Sequence, residues 1–291
     1  MSSLKEVKGR IISANNTLKI TSAMKMVASA KLHKAQEVIE GMLPYEQHLS
    51  AIMTHFLQSG VTMQSPYAKL HPTKKKISLV VFSSNSSLCG GFNANVIRLY
   101  HRWLAEYADI PKECITVYPI GRKVADAVKK TGVKIAGDFT HMAAKPNYAE
   151  AEALADELCQ QFLKGETDQV ELIYHHFKSA GSQILKRNVY LPIDMSELAA
   201  EEDSEGIHPD YLIEPSEADV LEKLLPEVLK LKIYTALLDS NASEHAARSM
   251  AMQIATDNAN NLIQDLTVIY NKGRQQAITN ELLDIVGGTM A

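Results

Sequence analysis

Residues 236–271, ALLDSNASEHAARSMAMQIATDNANNLIQDLTVIYN, decide the fold. They lie in a run with neither Pro nor Gly between Pro226 and Gly273, and most are good helix formers. Extended in both directions, the pattern predicts one helix from Leu221 to Val286. At 1.5 Å per residue it would be about 100 Å long, far beyond the three or four turns usual in a globular domain. Leu221, Leu225, Val228, Leu231, Tyr234 and Leu238 recur three or four apart. Ile254, Leu262, Leu266 and Ile269 are expected to resume that stripe. Between them Ala247, Ala251, Ala255 and Ala259 form a small-residue row that would let a second helix approach closely. Such a helix needs a partner of comparable length.

The opposite end of the chain supplies one. Leu4, Val7, Ile11, Ala14 and Leu18 step by three and four, and Met24, Ala28, Leu32, Ala35, Ile39 and Met42 continue the stripe. Glu6 follows Ser3 at capping-box spacing. Gly41 to Pro44 is expected to bend this helix, with His48, Ile52, Phe56 and Leu57 carrying it on towards Gly60.

Between the two ends the period changes. After a connector at 61–76 with Pro66, Pro72 and three consecutive lysines, Ile77 to Phe82 reads as a buried strand. A helix from Asn93 to Tyr107 follows, then a strand at Cys114 to Ile120 and a helix at Gly121 to Lys130. A short strand at Val133 to Phe139 and a helix at Tyr148 to Leu163 come next. Val170 to Lys178 and Ile184 to Leu191 alternate around the turn Ser179-Ala180-Gly181. Alternating strands and helices, then a hairpin, indicate a mostly parallel sheet with an antiparallel end. Pro192 to Pro215 is acidic and turn-rich and reads as an exposed loop. The expected architecture is α/β: a long antiparallel coiled coil of N- and C-terminal helices with an inserted Rossmann-like α/β domain. The segments are 1–60, the N-terminal helix; 61–76, the connector; 77–212, the inserted domain; and 213–291, the C-terminal helix.

Composition narrows the function. The 291 residues carry 30 basic against 34 acidic side chains, a formal charge of −4, which gives no argument for nucleic acid or an anionic membrane surface. The charge is uneven, since residues 1–36 hold seven Lys and Arg against Glu6 alone. Cys89, Cys114 and Cys159 stand apart without metal-ligand spacing, so buried free thiols and no metal are expected. The opening MSSLKEVKGR lacks the apolar core of a signal peptide, and no apolar run approaches the ~20 residues that span a bilayer. No direct bilayer insertion is expected.

Candidate chemistry is sparse. Leu88-Cys89-Gly90-Gly91-Phe92-Asn93 sits between a strand and a helix, where phosphate-binding loops occur, yet it matches neither GxGxxG nor GxxxxGK[ST]. A tight turn is the plainer reading, and Cys89 has no His or Asp placed to activate it. His175 and His176 adjoin on a strand and would point to opposite faces. Glu281 and Asp284 share a helix face without a pocket. Arg274, Gln275, Thr279 and Glu281 cluster where the longer helix would outrun its partner, which points to a partner protein.

The N-terminal LKEVKGRIISANNTLKITSAMKMVASAKL resembles the gamma subunit of the rotary F-type ATP synthase. So does the C-terminal SEHAARSMAMQIATDNANNLIQDLTVIYNKGRQQAITNELLDIVGG, where Thr289 stands at a usual Ala. SSNSSLCGGFN is similar to the family's SDRGLCGGFN, with Asn85, Ser86 and Ser87 in place of its DRG. The resemblance implies a left-handed coiled coil turning inside a hexamer of alpha and beta subunits. Its base would sit with the epsilon subunit on the membrane c-ring, so that the chain couples transmembrane proton flow to ATP synthesis. It implies no catalytic residue and no cofactor in this chain, and a peripheral place on the cytoplasmic side of a bacterial inner membrane. By motif it carries over Met24, Arg274, Gln275, Thr279 and Glu281 as contacts to the catalytic ring. A nucleotide-binding α/β enzyme with a coiled-coil dimerisation hairpin is the alternative reading.

Overall fold

The computed structural model describes residues 4–58, 65–68, 75–193 and 217–289. Most of the expected connector and nearly all of the acidic loop at 192–215 lie outside the described residues, apart from a 3-10 turn at Pro66–Ala68. The elements run α1 (Leu4–Gln58), β1 (Ile77–Phe82), α2 (Phe92–Glu106), β2 (Ile115–Ile120), α3 (Arg122–Lys129) and β3 (Lys134–Ile135). They continue with α4 (Thr140–Ala144), α5 (Tyr148–Leu163), β4 (Gln169–Ser179), β5 (Ser182–Leu191) and α6 (Glu217–Thr289). The long helices α1 and α6 contain Pro44 and Pro226 within their runs, so neither proline ends its helix. By contacts the chain divides into two units, Lys31–Ala247 and the pair Met1–Ala30 with Arg248–Ala291.

The first unit is built on a five-stranded sheet of order β3-β2-β1-β4-β5. All of its pairings are parallel except β4 with β5. The central strand β1 is buried throughout, as its unbroken apolar sequence requires. Its side chains alternate between two cores. Ile77, Leu79 and Val81 face Val96, Tyr100 and Trp103 of α2 and Val124 and Val128 of α3. Val80 and Phe82 face Leu154, Leu158 and Phe162 of α5 and Leu229, Ile233 and Leu237 of α6. The C-terminal helix therefore serves as one layer of the α/β domain as well as a member of the helix pair.

The expected third strand is shorter than its sequence suggests. Only Lys134 and Ile135 pair, at the sheet edge, with Thr116 and Val117. The carboxylate of Asp138 then accepts the backbone N–H of Thr140 at 2.9 Å, which turns the chain into α4. At the other side of β2, Gly121 has φ +104°, and a Cβ there would fall 2.2 Å from the carbonyl oxygen of Ser83. Only glycine permits that approach between the ends of β1 and β2.

The second unit is the paired ends of α1 and α6. Their contacts run antiparallel: Leu4 lies over Gly273, Thr256 donates to the Thr21 hydroxyl at 2.9 Å, and Ser29 and Ser249 share a hydrogen bond at 2.9 Å. On α1 the seam positions are Val7, Ile11, Ala14, Leu18, Thr21, Lys25 and Ala28, alternating by four and three, of which Val7, Ala14, Thr21 and Ala28 are buried, while Asn15, Ser22 and Met24 are half-buried beside the seam. On α6 they are Met252, Thr256, Ala259, Ile263, Leu266 and Tyr270. A sustained period of 3.5 is the condition for a left-handed supercoil.

This seam corrects part of the stripe expected on α6. Ile254, Leu262 and Ile269 are 56%, 44% and 53% exposed, whereas Leu266 is buried. The three were chosen for their hydrophobicity; the seven-residue period passes beside them. The alanine row drifts likewise, because steps of four advance faster than the seam. Ala259 lies on it, while Ala247, Ala251 and Ala255 are half-buried.

Candidate functional site on the helix pair

A strict seam leaves the outer faces of both helices to water or to another molecule. On α1, Ile12, Ile20, Met26 and Val27 are exposed, and Met24 lies half-buried beside the seam. On α6, Met250, Ile254, Leu262, Val268 and Ile269 are exposed. Beyond Gly273, α6 continues past the described start of α1. Arg274, Gln275, Thr279 and Glu281 are all exposed there, as are Glu281's neighbour in the expected acidic pair, Asp284, and the hydrophobic Ile278, Leu282, Leu283, Ile285 and Val286. The Thr279 hydroxyl donates to the Gln275 carbonyl at 2.9 Å, so part of the polar cluster is held on the helix's own backbone. The tip is thus amphipathic all round. The polar residues were legible in the sequence, but the exposed apolar ones were missed, because hydrophobicity alone cannot distinguish a seam position from a surface one.

The other candidates separate cleanly. In the loop after β1, the Asn93 side chain accepts from the backbone N–H and hydroxyl of Ser84 and donates to the carbonyl of Ser86 at 3.2 Å. Asn85 bridges to Thr140 and to the N–H of Arg122. Leu88 and Gly90 take positive φ, and the N–H of Phe92 at the start of α2 is turned onto the Cys89 carbonyl. These hydrogen bonds tie the loop to itself and to the starts of α2 and α3, as in a tight turn.

His175 and His176 point to opposite faces, as their adjacency on a strand demands. His175 is buried, stacked on Phe92 with ring centroids 4.3 Å apart, and burial lowers its pKa to about 4. His176 Nδ1 lies 2.6 Å from the Asp239 carboxylate on α6. Burial raises the Asp239 pKa, opposed by hydrogen bonds from His176 and from the Phe177 backbone N–H. All three cysteines are free thiols, and burial raises the Cys159 pKa to about 11. Among the described residues no His, Cys, Asp or Glu cluster could hold a metal ion, and no helix is long and apolar enough to cross a membrane.

An antiparallel helix pair with a 3.5 seam, apolar residues scattered among polar ones on its outer faces and an α/β domain inserted between its two helices in sequence defines a shaft-type interaction protein. The chain belongs to the gamma-chain family of the ATP synthases: the family model "ATP synthase" matches residues 3–291. It is 62% identical to the ATP synthase gamma chain of Phocaeicola vulgatus and 58% identical to that of Bacteroides fragilis, each over the whole of both chains. Among solved structures it is similar to a chain of the Tetrahymena thermophila mitochondrial ATP synthase central stalk and c-ring. That likeness has 25% identity and a TM-score of 0.56, and covers 81% of this chain and 99% of that one. A chain of the Euglena gracilis mitochondrial ATP synthase shares the fold at 20% identity with a TM-score of 0.64, covering 99% and 93%.

Proposed function

We propose that the chain is the central rotor shaft of an F-type ATP synthase, coupling transmembrane proton flow to ATP synthesis by turning inside the catalytic hexamer. The observation that carries this reading is the helix pair in a gamma-chain family member, closed on itself by its seam yet exposing apolar residues among polar ones on its outer faces and tip. In its functional segments, 1–60 and 213–291 form the shaft, 61–76 the connector and 77–212 the base domain. Met24, Arg274, Gln275, Thr279 and Glu281 touch the alpha and beta subunits. The epsilon subunit and the c-ring hold the base, at the cytoplasmic side of the bacterial inner membrane. The chain has no catalytic residue of its own and binds no cofactor.

The energetics suit a rotor. Each neutral hydrogen bond contributes about 0.5–1.5 kcal/mol net and each charge-assisted one about 1.5–3. A few of these, with scattered apolar contacts at about 25 cal/mol per Å², define a resting angle and still break at each step. The seam, where Val7, Ala14, Ala28, Met252, Ala259 and Leu266 are buried, is where torque-bearing packing belongs. The loop before α2, which matches neither phosphate-binding pattern, disfavours the alternative of a nucleotide-binding enzyme.

A reversible lock tests the reading. Ile20→Cys, on the exposed face of α1, is paired with a cysteine on the facing surface of the ring in the assembled complex. Oxidation should stop ATP hydrolysis and reduction should restore it. Hydrolysis at full rate with the disulfide formed would rule out rotation of this shaft.

A further inference from the structure

The strand β4 runs from Gln169 to Ser179, but β1 pairs only with its first part, ending at Val81 opposite Ile173. From Tyr174 onward β4 is paired with β5 alone. The edge released when β1 stops would present bare backbone groups. Two side chains of α6 meet it. The Ser243 hydroxyl donates to the His175 carbonyl at 3.3 Å, and the Asp239 carboxylate accepts the N–H of Phe177. Carbonyl and N–H of residues two apart lie on the same edge of a strand, and residues four apart lie on the same face of a helix. The helix therefore continues the hydrogen-bonding role of the missing strand.

The same contact is fastened twice more. His176, on the other face of β4, reaches Asp239 at 2.6 Å, and Asp239 and Ser243 are buried. Phe177 packs against the cluster of Leu32 and Ala35 from α1 with Ala242 and Ala246 from α6. The projecting hairpin thus touches both long helices within one unit of the structure, at the small residues of their seam.

We infer that the β4–β5 hairpin, fastened to α6 by Asp239 and Ser243, is a strut that stiffens the passage of torque between the inserted domain and the shaft helices, in addition to the packing of α6 in the domain's core. This rests on the rotor reading above. The inserted domain packs on α6 through Leu229, Ile233 and Leu237, and the hairpin adds a second attachment further along the helix, bonded at Asp239 and Ser243 and wedged by Phe177 on the seam. Two attachments spaced along one helix resist twist better than one. Asp239 and Ser243 are positioning residues here; neither touches a nucleotide.

The test uses the assembled complex with its ring immobilised and a bead on an Asp109→Cys label in the inserted domain. ATP-driven rotation is recorded, together with angular fluctuation during catalytic pauses. In Asp239→Ala/Ser243→Ala, the angular variance should rise roughly twofold, since three charge-assisted and neutral hydrogen bonds acting in parallel are lost. The rate of ATP hydrolysis by the complex without its membrane part should be unchanged. Asp239→Asn, which keeps an acceptor for the Phe177 N–H, should restore most of the stiffness and covers the case in which the double variant does not fold. Variance equal to that of the unaltered complex in a folded, rotating variant overturns the strut. A bead that never rotates in the unaltered complex overturns the rotor reading itself, and the strut with it.

Discussion

At the residue scale, His175 is a buried group whose ionisation should be felt by the fold in the acid range. It is 3% exposed, sits on Phe92 and is depressed to about 4 from an ordinary 6.5. The unfolded chain thus takes up a proton near pH 6.5 while the folded chain resists until about pH 4. Stability is complete above the unfolded value and falls as pH drops between the two, by roughly 3 kcal/mol at most. In His175→Phe this contribution disappears. Urea titrations of the isolated chain between pH 7 and pH 4.5 should show a shallower loss than for the unaltered chain, and an equal slope would contradict the assignment. The adjacency of the histidines let the sequence place them on opposite faces. It could not reveal their partners, because Phe92 and Asp239 are 83 and 63 positions away from His175 and His176.

At the element scale, the seam decides which hydrophobic residues stabilise the helix pair. Leu266 is 3% exposed and Ile269, three residues on, is 53% exposed. Leu266→Ala should therefore cost about 2–4 kcal/mol in the isolated chain, from lost burial and the cavity left behind. Ile269→Ala should stay within about 0.5 kcal/mol, as surface changes do. Guanidinium unfolding of both variants separates a seam from a broad stripe, and equal losses would mean that the 3.5 period is wrong. The helices themselves, and the antiparallel partnership of the chain ends, were readable from spacing. The seam was only partly so. Along α6, apolar residues occupy inward and outward positions alike, and the periods of 3.5 and 3.6 diverge by about 20° per heptad.

At the scale of the whole molecule, the exposed apolar tip has little to do for the fold and much to do for assembly. Residues 278–289 contribute no buried side chain among those described. Deleting them should leave the thermal midpoint of the isolated chain within a few degrees of its original value, since little apolar area is uncovered. Association with the ring of alpha and beta subunits should weaken by at least about tenfold, the equivalent of 1.4 kcal/mol or one good anchor. Calorimetry and a binding titration check the two halves separately. A large drop in the melting midpoint would place the tip inside the fold.

The sequence by itself determined the family and most of the elements in their order, though not the short α4. Long runs of helix formers, apolar or alternating strands between them and specific terminal motifs are local features, and local features survive in one dimension. It also showed that Leu88–Asn93 lacks a phosphate-binding pattern. Tertiary structure decided which side of α6 is the seam, why β3 stops after two residues, and what Asp239 is for. Each of these depends on groups brought together from distant parts of the chain: the end of β1 exposes an edge of β4, and α6, some 65 residues later, meets it. The helix around residues 236–271 was legible from its spacing as a long element needing a partner and, with the terminal motifs, as a shaft, while its second task, closing the edge of a sheet, became visible only when the sheet was in place.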